Sequence, residues 1–212
     1  MKKFFMIAVM AVCALAANAQ TPAAGSFKIT PLVGVNFSTI SNDLKNASLE
    51  SKVGFAAGVE GLYMTSDNFG ISAGVMYSQQ GSKFDINTAE LKELGVKFGD
   101  KLSADYIAIP ILAQSYLANG FAVKVGVQPA FKVSDKSPLD DMPAVVREAL
   151  EKREGADLSI NSFDLSIPVG ISYEFSNIVL DARYNWGVLD MLKNDNLSGH
   201  NNVFQVMVGY RF

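Results

Sequence analysis

The sequence predicts an all-β chain that folds as an eight-stranded, antiparallel, up-and-down transmembrane β-barrel. Eight segments alternate apolar and polar residues with a period of two, which is typical of strands with two different faces. The connections between them alternate short and long, and charges within the segments fall on the face opposite the apolar one. The eight segments are residues 27–38, 52–65, 69–82, 103–117, 121–133, 158–175, 178–187 and 202–212.

The last segment shows the alternation most clearly. Its large apolar side chains share one face of an extended strand: Phe204, Val206, Val208, Tyr210 and Phe212. Arg211 falls on the opposite face. The segment therefore suits the closing strand of a barrel whose outer face meets lipid, with aromatic residues at the membrane boundary.

The connections sort into two classes by length. Those after the second, fourth and sixth segments are short, at residues 66–68, 118–120 and 176–177, and consist of residues that favour hairpin turns. The other four are long, at residues 39–51, 83–102, 134–157 and 188–201. With eight strands, both chain ends share a side with the short turns. Short periplasmic turns and long outer loops are typical of outer-membrane barrels.

The start of the chain has the features of a secretory signal. Two lysines precede an apolar run over residues 4–16, and a small-residue cleavage signal ends at Ala19. The run is shorter than the roughly 20 residues that a transmembrane helix needs. We therefore expect a signal peptide over residues 1–19 and an outer-membrane β-barrel domain over residues 20–212, integral in the cell outer membrane.

The composition of the expected mature chain excludes several classes. Cleavage of the signal peptide would remove two of the 18 basic residues and leave 16 against 21 acidic residues, a net charge of −5. Such a chain offers no basic surface for binding nucleic acid. The only cysteine, Cys13, lies in the expected signal peptide, so a disulfide scaffold is excluded. A lipid anchor at Cys13 is disfavoured, because Val12 precedes it and the apolar run continues beyond it. A soluble periplasmic barrel stays open as a minor alternative.

The polar face predicts the lining of the barrel. Small Gly and Ser residues are frequent on it, as suits a narrow lumen. Its eight charges, four positive and four negative, form a proposed lumen network: Lys28, Glu60, Lys124, Asp164, Glu174, Asp181, Arg183 and Arg211. The interior of an eight-stranded barrel is only wide enough for side chains to fill, and buried charges need partners. We therefore predict a polar, largely plugged lumen.

The apolar face predicts the lipid contact. Its aromatic residues near strand ends are expected to form a lipid-facing girdle at the membrane boundaries. They are Phe27, Tyr77, Phe121, Phe175, Trp186, Tyr210 and Phe212.

Two segments share an Ile-Pro pair followed six residues later by Tyr, around Pro110 and Pro168. Because proline cannot donate to a ladder, each proline predicts a local bulge or bend. Together with the Gly-Val-Asn-Phe-Ser run that ends at Ser38 and the terminal Gly-Tyr-Arg-Phe, the pattern resembles the porin-family small outer-membrane β-barrel proteins (outer membrane protein beta-barrel domain). The resemblance covers essentially the whole mature chain. It implies an eight-stranded barrel and supplies no catalytic residues.

No enzyme chemistry is predicted. Ser198 and His200 flank a glycine in the last long loop, which keeps a lipid-modifying enzyme as a second alternative, but no orienting acid is evident and a solvated loop histidine is favoured. With one histidine and no mature cysteine, zinc and thiol chemistry are excluded. Asp135, Asp140 and Asp141 lack EF-hand spacing and are interpreted as solvated. No cofactor or metal is expected.

The third long loop predicts a short helix over residues 142–154, and the second carries a weaker helix signal over residues 88–94. Stiffening of the loop is favoured for the first helix over an outward platform that binds a partner or covers the barrel mouth. The predicted function is a non-enzymatic integral surface protein with a structural or surface-interaction role; the alternative is a narrow porin-like channel for ions or small solutes. Expected partners are membrane lipids, the outer-membrane assembly machinery and an extracellular ligand at the outer loops, with the chain monomeric.

Overall fold

The computed structural model describes residues 21–42, 49–84, 101–136, 161–189 and 199–212. Within these residues the chain forms nine β-strands and no helix. They are β1 (Phe27–Asn42), β2 (Leu49–Ser66), β3 (Phe69–Phe84), β4 (Lys101–Ala108), β5 (Ile111–Ala118), β6 (Phe121–Lys136), β7 (Phe163–Phe175), β8 (Ile178–Gly187) and β9 (Gly199–Tyr210).

The strands close into a barrel with eight positions around the wall. The order is β2-β1-β9-β8-β7-β6, followed by β4 and β5 together and then β3, which pairs with β2 again. Strands β4 and β5 occupy one position, because both pair with β3 on one side and with β6 on the other. All pairings are antiparallel, so the predicted eight-stranded barrel is confirmed.

The closing strand β9 lies between β1 and β8 and leaves no free edge. Beyond β9, the backbone amide of Phe212 donates to the carbonyl of Ile29 at 2.9 Å. The amide of Arg211 donates to the carbonyl of Asn177 at 2.7 Å, in the turn between β7 and β8. The end of the chain is thereby bonded to both neighbouring strands.

The short connections are the predicted hairpin turns. In the turn between β7 and β8, Ser176 and Asn177 have φ angles of 45° and 70°. Two successive positive φ angles belong to a type I′ turn, whose twist matches that of the flanking strands. In the turn between β5 and β6 the positive φ of 70° falls on Gly120, which tolerates it without steric cost.

The two prolines interrupt the ladder without shifting its register. Pro110 lies in the two-residue gap between β4 and β5, and the pairing with β3 continues in the same register on both sides of it. Pro168 lies within β7, where the pairing with β6 lapses and then resumes in register. Of the bulge or bend expected at each proline, the structure therefore shows no bulge. A missing N–H removes one ladder bond, but neighbouring pairs hold the strands in place.

The faces of the barrel are inverted relative to a soluble protein. The outer wall consists of exposed apolar side chains such as Val59, Val125 and Val208, whereas charged and amide side chains are buried in the lumen. The outward faces predicted for the first three and the last four segments are outward in the structure, and none was predicted for the segment that contains β4 and β5. The signal peptide over residues 1–19 and the helices over residues 142–154 and 88–94 lie outside the described residues.

Candidate functional site

The candidate site is the polar lumen, because the charged side chains that face inward from the described strands line it. Four of them form a cluster, called here the charge quartet: Glu60 of β2, Lys124 of β6, and Asp181 and Arg183 of β8. The ammonium of Lys124 lies 2.6 Å from Asp181 Oδ2 and 3.5 Å from Glu60 Oε1. The guanidinium of Arg183 donates from Nη2 to Glu60 Oε2 at 2.6 Å. It also donates to Asp181, from Nε at 2.6 Å and from Nη2 at 3.0 Å.

The quartet spans the lumen from wall to wall. Around the barrel, β2 is three positions from β8 in one direction and three positions from β6 in the other. The contacts of Glu60 with Arg183 and Lys124 therefore run across the interior and do not follow neighbouring strands. Alternation places the four side chains inward, and the closure of the sheet brings them within ion-pair distance.

The quartet is electrically balanced and almost completely buried. Two cations face two carboxylates, each carboxylate contacts both cations, and none of the four side chains is more than 2% exposed. Short charge-assisted hydrogen bonds of this kind are about twice as strong as neutral ones. Removal of one partner leaves an uncompensated buried charge, which is strongly destabilising.

Two neutral side chains extend the quartet. Gln114 of β5 donates from Nε2 to Glu60 Oε1 at 3.1 Å and to Ser72 Oγ at 2.7 Å. The sequence interpretation counted Ser72 among the small residues of the polar face and missed Gln114, and it expected neither as a partner of the charges. Their inward phase in alternating strands was the available signal.

A second polar cluster lies nearer the periplasmic end. Arg211 forms an ion pair with Glu174 of β7, and it donates to Tyr116 Oη at 2.9 Å and to Thr30 Oγ1 at 3.1 Å. Lys28 is half-buried in the same region, and its charge acts on Glu174. The cluster ties the chain end after β9 to three strands.

The outer half of the lumen holds a row of neutral hydrogen bonds, called here the amide chain. Gln205 donates to Asn36 Oδ1 at 2.9 Å, and Asn36 donates to Ser78 Oγ at the same distance. Gln80 donates to Ser78 Oγ at 2.9 Å and accepts from Asn201. The sequence interpretation placed Asn36, Ser78 and Gln205 on the inward faces of their segments, but it left Asn201 in the last long loop.

The eight proposed lumen charges thus fall at three depths. Four meet in the quartet, Glu174 and Arg211 pair nearer the base with Lys28 beside them, and Asp164 lies apart near the outer end of β7. Asp164 accepts from the side chain of Asn201, and the neighbouring His200 acts on it electrostatically. The structure does not bring all eight into one cluster.

The periplasmic end of the lumen is closed by apolar side chains and by the segment before β1. Leu62, Met64, Tyr116 and Ala122 form a buried apolar cluster, called here the lower apolar layer. Residues 21–26 cross below it: the amide of Gly25 donates to the carbonyl of Met64 at 2.8 Å. On the opposite side of the barrel, the amide of Gly120 donates to Thr21 Oγ1 at 3.1 Å. Residues 21–23 and the turns at residues 67–68 and 118–119 together line an open pocket of about 400 Å³.

The proposed girdle residues all lie on the outer wall. Phe27, Trp186, Tyr210 and Phe212 are exposed, whereas Tyr77, Phe121 and Phe175 are half-buried among their neighbours. Trp186 and Tyr77 lie in the outer halves of their strands and the other five lie at periplasmic strand ends. Further outward aromatic residues that the interpretation left out of the girdle are Phe37, Phe55, Tyr63, Phe69, Phe131, Phe163, Tyr184 and Phe204.

Neither a metal site nor a membrane-spanning helix is found among the described residues. No group of three or more His, Cys, Asp or Glu side chains there is arranged to hold a metal ion. No described helix is long and apolar enough to cross a membrane. Of the residues considered for lipid chemistry, His200 is half-buried in β9 and position 198 is not described.

A closed barrel with an apolar outer wall and a polar, charged lumen defines an integral membrane β-barrel. Residues 18–193 match the family described as outer membrane protein beta-barrel domain, and the chain belongs to this family. No curated protein sequence matches the chain.

Solved structures of outer-membrane proteins are similar to the chain at low sequence identity. OprG from Pseudomonas aeruginosa is 13% identical with a TM-score of 0.51, over 91% of this chain and 99% of that one. Neisserial surface protein A is 14% identical with a TM-score of 0.48, over 90% and 99%. Ail of Yersinia pestis is 13% identical with a TM-score of 0.44, over 87% and 98%. At these identities the likeness concerns the fold alone.

Proposed function

We propose that this chain is a non-enzymatic outer-membrane barrel whose lumen is closed and whose role is structural or surface-interactive. The charge quartet carries the proposal, because its buried ion pairs cross the lumen from β2 to β6 and β8. Below it, the lower apolar layer and residues 21–26 add a second closure. A solute would have to break several buried ion pairs to pass.

The surface role follows from the position of the long connections. The strand ends that these connections join lie at the end of the barrel opposite the short turns and Phe212, which is the outer end in this orientation. With a closed lumen, contact with an extracellular ligand would fall to these connections. The chain would act as a monomer, inserted by the outer-membrane assembly machinery after cleavage near Ala19.

Conductance measurements test the closed lumen against the narrow channel. The purified protein, reconstituted into planar bilayers, should show no stable unitary current steps. A wide porin in the same bilayer serves as the positive control, and heat-modifiable gel mobility of the sample confirms that the barrel is folded. Reproducible unitary steps from folded protein would contradict the closed lumen and favour the channel.

The lipid-modifying alternative requires a separate test. Cells that express His200→Ala should show the same lipid A profile as cells that express the parent chain, because the proposed function assigns no chemistry to this residue. Loss of a modified lipid A species in the variant would favour the enzyme instead.

A further inference from the structure

We propose that the wall of the barrel opens locally along one line, called here the proline seam, while the rest of the sheet stays paired. The seam consists of Pro110 between β4 and β5, Pro129 in β6 and Pro168 in β7. Each proline removes a hydrogen bond from a different one of three adjacent ladders. The opening faces the surrounding lipid and leaves the closure along the barrel axis intact.

The first break lies between β6 and β7. The pairing of these strands is interrupted at residues 126–127 of β6 and 167–168 of β7, and it is continuous on both sides of this gap. The register places Pro168 opposite Gly126, and a proline has no N–H to donate to the ladder. On its other side β7 pairs with β8 through Pro168 without a break, so the loss is confined to the ladder with β6.

Pro110 and Pro129 each form only half of a bonded pair. The carbonyl of Pro110 accepts from the amide of Gly74 in β3 at 3.0 Å, and the carbonyl of Pro129 accepts from the amide of Ile109 at 2.8 Å. In an antiparallel ladder, two residues that face each other in this way exchange two bonds. Since neither proline has an N–H, the second bond is missing from both pairs.

The three breaks lie at one level of the wall. The strands β4 and β5 pair with β6 in one register, in which Ala108 faces Ala130 and Ile111 faces Val127. This register places Pro110 opposite residue 128. The missing bonds therefore lie beside residues 126–129, on both sides of β6.

The seam lies in the middle of the membrane-spanning wall. Pro168 is next to Val169, the central residue of β7. In the bilayer core no water is present to replace a broken ladder bond, so every backbone bond that opens there is costly. Where a bond is already missing, fewer bonds break when two strands separate. Separation of β6 from β7 therefore costs less at the seam than along a fully paired stretch of the same length.

The side chains around the seam favour an opening toward lipid. On the outer wall, Val127 and Ile167 are exposed and apolar. Behind the seam lies a buried apolar cluster of the lumen, called here the upper apolar layer. Its members are Leu32, Met76, Ala104, Tyr106, Ala108, Ala130 and Met207. Because Ala108 and Ala130 flank the seam, separation of the strands brings apolar groups against hydrocarbon and exposes no charge.

Contacts on both sides limit the length of the opening. Toward the periplasm, Lys124 of β6 belongs to the charge quartet, which ties this strand to the far wall. Toward the outer end, the rings of Phe131 in β6 and Phe163 in β7 lie 5.4 Å apart, where the two strands are paired again. The opening is therefore short, and the ion pairs of the quartet lie below it.

Relaxation-dispersion NMR of the protein in lipid nanodiscs tests the seam, because it detects opening on the μs–ms timescale. The amides of Gly126 and Gln128 report the seam. The amides of Lys124 and Ala130, which pair with β7 on either side of the gap, are the references. We expect dispersion at the two reporters and flat profiles at the two references.

Pro168→Val restores the missing donor at nearly constant volume. It should lower the population of the open form about 5-fold or more, as expected for one additional hydrogen bond. Pro31→Val is the matched control, because Pro31 lies in β1, four positions from β6 in either direction around the wall, and should leave the dispersion unchanged. If Pro168→Val does not reach the heat-modifiable folded form, Pro129→Val replaces it, with the amide of Ile109 as reporter.

Flat profiles at Gly126 and Gln128 in the parent chain overturn the seam. Dispersion that persists unchanged in Pro168→Val, or that disappears in Pro31→Val, also overturns it, because the missing donor would then not be the cause of the opening. None of these results bears on the closed lumen, which the conductance measurement tests separately.

Discussion

Replacement of Arg183 by methionine should destabilise the barrel more than replacement of Lys28, a half-buried cation outside the quartet. Arg183 donates three charge-assisted hydrogen bonds, at 2.6, 2.6 and 3.0 Å, and its side chain is 1% exposed. Methionine fills part of the volume and removes every one of these bonds. Lys124 is then the single cation facing Glu60 and Asp181, at 3.5 and 2.6 Å. Loss of one partner of a buried ion pair costs about 3–5 kcal/mol of unfolding free energy.

A second substitution separates the effect of charge from the effect of packing. Asp181→Asn alone leaves two cations with one carboxylate and should also cost about 3 kcal/mol. The double variant Arg183→Met/Asp181→Asn retains Lys124 with Glu60, so its charges balance again. The double variant should therefore lose about 2–3 kcal/mol less unfolding free energy than the sum of the two single losses. This difference is at the upper end of the interaction energies found between residues of one network.

Urea unfolding in lipid vesicles measures these differences. Trp186 is the only tryptophan and is 63% exposed on the outer wall, so its emission reports transfer between lipid and water. Lys28→Met is the matched control, because Lys28 is a half-buried cation outside the quartet and should lose much less stability. Two results would refute the cooperative quartet. One is a double variant whose loss of unfolding free energy equals the sum of the two single losses, and the other is an equal loss for Arg183→Met and Lys28→Met.

Two further predictions concern the outer wall and one inward-facing glycine of the lumen. Val125→Arg, at an exposed position of β6 that pairs with Val169, the central residue of β7, should lose about 2–4 kcal/mol in the same assay, whereas Val133→Arg near the outer end of β6 should lose about 0–1 kcal/mol. Equal losses would contradict a lipid-facing wall. Gly170→Val should lower the fraction of heat-modifiable folded protein, because a Cβ there would lie 2.6 Å from the carbonyl oxygen of Ala182. The outward control Ala182→Val should fold normally, and an equal yield for the two variants would refute this steric reasoning.

The faces of the strands were predictable from sequence because alternation is a local property. Each strand repeats its side-chain direction every two residues, so Lys124, Asp181 and Arg183 were assigned inward without knowledge of any neighbour. The short turns were predictable for a similar reason, since Asn177 and Gly120 belong to residue types that tolerate positive φ.

The pairing of the charges was not predictable, because it depends on how the closed sheet is staggered. Arg183 and Glu60 are separated by 123 residues and three positions around the wall, and the stagger of the strands sets which inward residues share a depth. The same stagger leaves Asp164 at the outer end, far from the quartet. An alternating pattern fixes whether a side chain points inward or outward, but it carries no information about the depth of that side chain along the barrel axis.

The closure at residues 21–26 was missed for a different reason. This segment has no alternation and few large side chains, and its bonds to Met64 and Gly120 involve backbone groups. Such contacts have no sequence signature, because every residue other than proline has the same backbone donor and acceptor.

The quartet also accounts for a glycine that alternation alone leaves unexplained. Gly170 of β7 pairs with Lys124 on one side and with Arg183 on the other, so it lies in the wall between the two cations. A Cβ at this position would lie 3.0 Å from Arg183 Cγ, tighter than normal van der Waals contact. The missing side chain leaves room for the long side chains of Lys124 and Arg183, which enter the lumen from the two strands that flank β7. Because a barrel of this width must fill its own interior, small residues beside large charged ones are what allow the closure across the lumen.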